Sequence, residues 1–293
     1  GQAASARFTV ERQRDGGLAF INIDARGAGL NTQGRVRLAR DNRIADVELT
    51  RLGAEGRSDA RVTATRASDG GLDVAVRGAL FDAAPFMGGG EDAPGEARPA
   101  NASPPAPLRA SVIVDRLKLR GDATLSEARV QAATARGALA MLTAEGRTPN
   151  GRAFSLGLGP RPSDPQGHIR LRSDDAGFAV AALTGANNII GGTAEADGEW
   201  RAGPPSQARF DVRLRDFSVV RLPAMARLLS SAGSLTGLVE MLNGDGISFA
   251  ALDARMAYAN DRVTFTEGRM AGPSMGLTGS GAYNIAGDDL DID

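Results

Sequence analysis

The sequence predicts a mostly β protein in which one long antiparallel sheet curls into an open apolar groove, with one amphipathic helix segment near the C-terminal end. Three observations predict this fold class. Glycine accounts for 38 of 293 residues, and the glycines separate short segments in which apolar and polar residues alternate, as they do in strands. A single segment has the three-and-four spacing of an amphipathic helix. Hydrophobic residues at 42% and charged residues at 24% are typical of a folded protein.

The alternating segments predict roughly twenty strands paired up and down. Turn sequences at 14–17 and 68–71 contain Asp-Gly-Gly, which suits hairpins that need a positive φ. The predicted strands are 6–10, 18–25, 34–40, 44–51, 58–66, 72–77, 110–114, 117–120, 125–130, 139–144, 154–158, 168–172, 177–183, 192–200, 208–214, 247–252, 255–258, 262–266, 268–270, 276–279 and 282–285. A change of apolar parity between Val114 and Leu117 predicts a bulge near Asp115 and Arg116.

The chain is predicted to have three parts. Residues 1–87 form an antiparallel β-groove segment, and 88–108 form a linker or loop rich in proline and glycine. Residues 109–293 form a second β-groove region that contains an amphipathic helix at about 220–243. The last residues, 288–293, still alternate like a strand, and we expect the sequence to be a piece of a longer protein.

A sheet of this length must hide its apolar face. It can fold on itself as a sandwich, close as a barrel, or curl into a groove whose lining is filled by something else. The predicted inner face is mostly Val, Leu, Ile and Ala, and aromatic residues are only 4% of the chain. That smooth lining favours a groove suited to acyl chains.

Composition excludes several chemistries. The chain has no Cys and one His, so we expect no metal site and no cofactor. The net charge of −1 and the dispersed Arg residues disfavour nucleic acid as a partner. We interpret His168 as a surface residue, because no Gly-x-Ser-x-Gly motif accompanies it. Glu195, Asp197 and Glu199 line one face of a predicted strand, and a solvated polar face explains them better than glycosidase chemistry does.

Several motifs resemble the AsmA-like superfamily, and within it the YhdP branch. The similarity is good from about residue 177 to the end and looser upstream. The motifs are IIGG at 189–192, AEADG at 194–198, FDVRL at 210–214, DFSV at 216–219, LPAMARLL at 222–229, SLTGL at 234–238, GDGISF at 244–249 and GPSMGLTGSG at 272–281.

The resemblance implies a bridge-like lipid transfer protein of a Gram-negative bacterium. Members of the superfamily have a long sheet bent into a trough, the β-taco, whose apolar interior shields phospholipid tails. The resemblance further implies a periplasmic location, an anchor in the inner membrane, and partners among phospholipids and the components of the inner and outer membranes. We therefore expect no enzyme, but a conduit for phospholipid between the two membranes in outer-membrane biogenesis.

Two groups of residues are predicted to serve this function. The expected groove lining is Leu72, Val74, Val76, Val112, Val114, Phe154, Leu156, Leu158, Ile169, Leu171, Phe178, Val180, Phe210, Val212, Leu214, Phe249, Val263 and Phe265. The predicted helix could plug or cap the groove, or simply pack on it, with Leu222, Met225, Leu228, Leu229, Leu235, Leu238, Met241 and Leu242.

Two other functions stay open at this point. In one, the apolar face is an ordinary core, and the chain is a non-catalytic periplasmic scaffold or assembly module for outer-membrane proteins. In the other, Glu195 and Asp197 act as a glycan hydrolase, which needs both carboxylates in a concave pocket.

Overall fold

The computed structural model describes residues 4–27, 29–87, 106–161, 164–203, 206–220, 246–260, 262–273, 276–284 and 289–292. These residues form seventeen strands, one α-helix and two short 3-10 turns. The strands are β1 Ser5–Arg12, β2 Leu18–Gly27, β3 Leu30–Leu38, β4 Ile44–Ala54, β5 Ser58–Arg66, β6 Leu72–Asp82, β7 Leu108–Lys118, β8 Thr124–Ala135, β9 Ala138–Arg147, β10 Ala153–Arg161, β11 Asp164–Ser173, β12 Ile189–Arg201, β13 Gln207–Val219, β14 Ile247–Ala259, β15 Arg262–Ala271, β16 Gly276–Asn284 and β17 Asp289–Ile292. The helix α1 is Ala176–Thr184, and the 3-10 turns are Ala84–Phe86 and Arg120–Asp122.

All strands belong to one open sheet in which each strand pairs with the next along the chain. The prediction of a mostly β chain with one long sheet is confirmed. The prediction of antiparallel pairing throughout is wrong at one place, because β6 and β7 are parallel, with Leu72 opposite Leu108. A parallel pair needs a long crossover rather than a hairpin, and the linker at 88–105 is long enough to supply it.

The strand ends gather along two opposite edges of the sheet. We call one edge the hairpin rim; it carries the turns between β1 and β2, β3 and β4, β5 and β6, β8 and β9, β10 and β11, β12 and β13, and β14 and β15. We call the other edge the helical rim; it carries both 3-10 turns and α1. The helical rim also carries hairpin turns, between β4 and β5 and between β9 and β10, so the rims differ in α1 and the 3-10 turns.

Three turns of the hairpin rim share one design. In each, the carboxylate of Asp15, Asp41 or Asp69 accepts a hydrogen bond from the backbone N–H two residues later, over 2.9 to 3.1 Å. The residue after the aspartate has a positive φ, which is 85° at Gly16 and 77° at Gly70. The turns predicted at 14–17 and 68–71 are confirmed, for the reason that the sequence indicated.

The segment 177–183 was predicted as a strand, and this prediction is wrong, because the chain forms α1 there. Asp175 is the N-cap and accepts a hydrogen bond from the N–H of Phe178 over 3.0 Å, and Gly185 ends the helix with a φ of 85°. The run Phe-Ala-Val-Ala-Ala-Leu is apolar at both odd and even positions. It therefore lacks the alternation of apolar and polar residues that would distinguish a strand from a helix. A helix that is apolar all round is a buried one, and α1 packs against β12 and β13.

Helix α1 also reaches across the helical rim to the turn between β7 and β8. Arg120 donates to the carbonyl oxygens of Leu183 at 3.3 Å and Met87 at 2.9 Å. Gly121 lies so close that a methyl group on it would be 2.8 Å from the carbonyl oxygen of Gly185. Because these contacts join strands that are several places apart in the sheet, α1 bridges the helical rim.

Two further predictions are corrected. In four places, two short strands predicted one after the other form a single continuous strand; these strands are β7, β14, β15 and β16. The bulge predicted near Asp115 and Arg116 is absent from the pairing of β7 with β8, which keeps its register. The switch in apolar parity between Val114 and Leu117 is present in the structure. It is accommodated on β8, where Glu127 has a φ of 52° and the register with β9 shifts. The predicted helix at about 220–243 lies outside the described residues.

Candidate functional site

One face of the sheet carries a row of cross-strand neighbours without a single charged side chain. We call this row the apolar ladder, and it runs from β1 to β16. Its members are Val10, Phe20, Val36, Val47, Ala64, Val74, Ala110, Ala132, Leu142, Leu158, Ile169, Gly198, Phe210, Met256, Phe265 and Gly281. We call the face that bears it the apolar face.

A second row runs beside the apolar ladder, two residues away along each strand and three residues away on β15. It consists of Leu49, Val62, Val76, Val112, Val130, Ala144, Leu156, Leu171, Ala196, Val212, Ala254 and Gly268. Together the two rows make a continuous apolar stripe that crosses the strands.

The structure brings sixteen of the eighteen predicted lining residues to strands of the sheet. Ten of them belong to the two rows, namely Val74, Val76, Val112, Leu156, Leu158, Ile169, Leu171, Phe210, Val212 and Phe265. Leu72 and Val263 lie toward the hairpin rim, whereas Val114, Phe154, Leu214 and Phe249 lie toward the helical rim. Phe178 and Val180 belong to α1 and not to a strand.

Glycines within the apolar ladder lie in close contact with their cross-strand phenylalanines. A methyl group on Gly281 would lie 2.7 Å from Cζ of Phe265, and a methyl group on Gly198 would lie 2.7 Å from Cβ of Phe210. Each glycine thus leaves room for its cross-strand phenylalanine. The ladder stays apolar at these positions, although glycine contributes no side chain to it.

The apolar face is more enclosed than the opposite one, which we call the polar face. Ala64, Ala196 and Ala254 on the apolar face are only 5 to 7% exposed, while Ala75 and Ala257 on the polar face are partly exposed. Burial nevertheless varies along each face: Ala110 and Ala132 of the apolar ladder are partly exposed, and Ala19 on the polar face is 6% exposed. Most of the larger side chains of the stripe, such as Leu156, are half-buried, but Val76, Val112 and Leu171 are only 5 to 9% exposed.

The apolar face is packed most tightly near the helical rim. Leu125 is fully buried, and Phe217 is 2% exposed and stacks on Phe249 with ring centroids 5.7 Å apart. Phe178 of α1 meets Phe154 edge to face at 5.5 Å. Here the apolar face is a filled core, whereas the stripe contains both buried residues and residues that keep partial exposure.

The chain's single tryptophan lies on the apolar face next to the hairpin rim. Trp200 is 7% exposed and stacks on Tyr258 with ring centroids 6.3 Å apart. Its indole Nε1 is buried and has no hydrogen-bond partner within the described part of the chain. Trp200 lies on the face of β12 opposite Glu195, Asp197 and Glu199.

One row of the polar face carries charges that alternate from strand to strand. Successive cross-strand partners are Arg172, Glu195, Arg213, Asp253 and Arg269. Each carboxylate of this row is flanked by guanidinium groups, so the face is close to neutral and well hydrated.

The candidate catalytic residues lie on this polar face. Asp197 accepts from Nε of Arg170 at 2.9 Å and lies 3.3 Å from Nε2 of His168. Partial burial favours the protonated acid, but the Arg170 hydrogen bond and the His168 charge and hydrogen bond prevail, so the pKa of Asp197 is lowered. A general acid needs a raised pKa. Asp197 and Glu195 line a depression of about 210 Å³, and Arg170, Arg172 and Arg213 line it too.

Two features that bear on other functions are absent from the described residues. None of the helices among them is long and apolar enough to cross a bilayer. No three His, Asp or Glu side chains in those same ranges are grouped so that they could hold a metal ion. The predicted plug residues, Leu222 to Leu242, lie outside the described ranges.

Comparison of the chain with models of protein families, with curated proteins and with solved structures finds no match.

Proposed function

We propose that this chain is a section of a lipid conduit, in which acyl chains of phospholipids lie against the apolar face and move across the strands. The observation that carries the proposal is the apolar ladder, which continues through sixteen strands without a charged residue. A core that only stabilises a fold has no need of an uninterrupted stripe along an open sheet. A path for a moving acyl chain does need one, because a single charge would be a barrier.

The energetics favour such a path. Each methylene group kept from water is worth about 0.8 kcal/mol, so an acyl chain of about sixteen carbons gains on the order of 10 kcal/mol from shelter. Aliphatic side chains such as Leu156 and Val212 offer no directional bonds. A lipid therefore meets similar surroundings at each step and slides with little preference for one position. No catalytic group is required.

The resemblance to the AsmA-like superfamily supports the same proposal from the sequence. It extends the proposal to a periplasmic protein of a Gram-negative bacterium, anchored in the inner membrane, that delivers phospholipid toward the outer membrane. In that setting the sheet curls into a groove, with the lipid headgroups in water along its opening.

Site-specific photo-crosslinking tests the proposal. A photoreactive residue replaces Val74, Leu156 or Val212 on the apolar face, one at a time, and lipid bound during expression is identified by mass spectrometry after irradiation. The adjacent positions Asp73, Ser155 and Arg213 are matched controls, because neighbours in a strand point to opposite faces. We expect phospholipid adducts at the first three positions and none at the controls.

A non-catalytic scaffold for outer-membrane proteins is the second candidate. The filled core near the helical rim favours it, because Leu125 and Phe217 are packed as in an ordinary domain. If none of the apolar-face positions captured lipid, the half-buried stripe would be a surface covered by protein, and the scaffold would become the better proposal.

A further inference from the structure

We propose that lipids lie on the apolar face in one orientation, with the phosphate at the hairpin rim and the methyl ends of the acyl chains toward α1. This inference rests on the proposed function and specifies how the conduit holds its substrate. The hairpin rim has an excess of arginine and carries Trp200 beside it, whereas the helical rim is covered by α1. All three differences favour this orientation.

Arginine recurs along the hairpin rim. From β1 to β13, the described side chains in the turns and at the strand ends of this rim include seven arginines but only three aspartates. The arginines are Arg12, Arg14, Arg40, Arg43, Arg66, Arg136 and Arg201, and the aspartates are Asp15, Asp41 and Asp69. All three aspartates are engaged by backbone N–H groups of their own turns.

The helical rim has no such excess. Over the same strands its described side chains are five basic and five acidic residues, namely Arg57, Lys118, Arg120, Arg147 and Arg152 against Glu55, Asp82, Asp122, Asp174 and Asp175. An anionic headgroup is thus attracted to the hairpin rim and not to the helical rim.

The spacing of the arginines suits a moving anion. Adjacent turns on one rim are two strands apart, which is about 10 Å. This separation is close to the Debye length of about 8 Å at physiological ionic strength. Where neighbouring turns both carry arginine, as at Arg14 and Arg40, the fields of the two guanidinium groups therefore overlap. Arg136 and Arg201 are four strands apart, about 19 Å, and a phosphate that travels along the rim crosses this longer interval between them. Arg14, Arg40 and Arg136 are exposed and have no carboxylate partner among the described residues.

Trp200 marks the level of the lipid ester on the same side. Tryptophan concentrates where an apolar phase meets a polar one, because its ring is apolar and its N–H is a donor. The Nε1 of Trp200 lacks an acceptor among the described residues. The carbonyl oxygen of an acyl ester, at the boundary between headgroup and chain, is the acceptor that a lipid would bring there.

The opposite rim offers the ends of acyl chains an apolar boundary. Helix α1 lies across the helical rim, with Ala176, Ala179 and Ala182 at most 1% exposed. The Arg120 hydrogen bonds to Leu183 and Met87 hold this closure in place. A headgroup at this rim would displace packed protein, whereas a methyl end only needs contact with it.

Brominated lipids test the orientation, because bromine quenches tryptophan on contact and the chain has a single Trp. Two phosphatidylglycerols are compared, one with bromines near the ester end of the chains and the other with bromines near the methyl end. We expect the ester-end lipid to quench Trp200 at least twofold more strongly. Stronger or equal quenching by the methyl-end lipid would overturn the proposed orientation but leave the conduit intact. Absence of quenching by both would contradict the conduit itself.

Charge variants test the arginine rim. The triple variant Arg14→Gln, Arg40→Gln, Arg136→Gln is compared with Arg61→Gln, Arg77→Gln, Arg129→Gln, which removes the same charge from exposed positions on the polar face. Capture of fluorescent phosphatidylglycerol should fall about fivefold in the rim variant and stay unchanged in the control. Diacylglycerol with the same chains should bind both variants equally.

Three outcomes of this second experiment would overturn the inference. The first is an equal loss of phosphatidylglycerol capture in both variants, and the second is no loss of capture in either. The third is a loss of diacylglycerol binding that is confined to the rim variant. Inorganic phosphate alone, added in excess, should displace none of the captured phosphatidylglycerol. Displacement would show that the rim is a site for free anions rather than for lipid headgroups.

Discussion

At the scale of single residues, the hairpin turn at Asp69 shows how one side chain serves both local geometry and charge. Its carboxylate accepts from the N–H of Gly71 at 2.9 Å and from Nη1 of Arg109 at 2.8 Å. Arg109 also pairs with Asp73, and so ties the first residues of β6 and β7 together. The bond from Arg109, followed by that from Gly71, lowers the pKa of Asp69 to about 2.

This lowered pKa predicts a dependence of stability on acid. A carboxylate with a lower pKa in the folded state stabilises the fold above its ordinary pKa of 3.8, and the contribution disappears as the pH falls toward 2. The difference in free energy of unfolding between the natural chain and Asp69→Asn should therefore shrink over this range. Urea unfolding of both proteins at several pH values measures it. A difference that stays constant with pH would show that Asp69 acts through its turn geometry alone.

At the scale of elements, Asp175 and Gly185 define a helix that alternation alone does not reveal. Asp175 is 8% exposed, and besides capping α1 it accepts from Nδ2 of Asn150 at 3.3 Å. Gly185 has a left-handed backbone conformation, which glycine adopts at no steric cost. These two residues flank nine others, so the sequence did contain start and stop signals for the helix.

Removal of the cap tests the role of Asp175 in holding α1. Loss of an N-cap costs about 1 kcal/mol of stability, and Asp175→Ala should lower the free energy of unfolding by that amount or somewhat more. Asp175→Asn keeps an acceptor for the N–H of Phe178 and should retain most of the stability. Chemical denaturation followed by circular dichroism measures both variants. Equal destabilisation by both would mean that the charge, rather than the cap, holds the helix.

Some elements of the fold could be predicted from the sequence and others could not. Strands such as β5 were predicted with their observed ends, because alternation and turn chemistry are local signals. The parallel pairing of β6 with β7 was missed, since it depends on the path of the linker. The apolar ladder was only partly predicted: Ala110, Ala132 and Met256 join it through register, which a single sequence does not give. The arginines of the hairpin rim were visible in the sequence but became a row only when the topology aligned their turns.

At the scale of the whole molecule, the apolar face combines two kinds of burial. Near the helical rim it is a filled core, and Leu125 is fully buried. In the middle of the stripe burial varies: Leu156 is half-buried, whereas its cross-strand partner Leu171 is 8% exposed. A face that served only for folding would be packed evenly, whereas a face that receives a mobile ligand keeps part of its apolar surface accessible.

This difference predicts that a charge at the centre of the stripe harms lipid capture more than folding. Leu156→Asp should keep a cooperative unfolding transition, because its carboxylate retains access to water, yet it should reduce the phospholipid bound by the chain severalfold. Leu125→Asp places the same charge in the filled core and should prevent folding or destabilise the protein by several kcal/mol. Ser155→Asp, on the polar face beside Leu156, should change neither property. Thermal unfolding and mass spectrometry of bound lipid on the four proteins provide the comparison. If Leu156→Asp unfolded the chain as Leu125→Asp does, the whole apolar face would be core, and the conduit would lose its support.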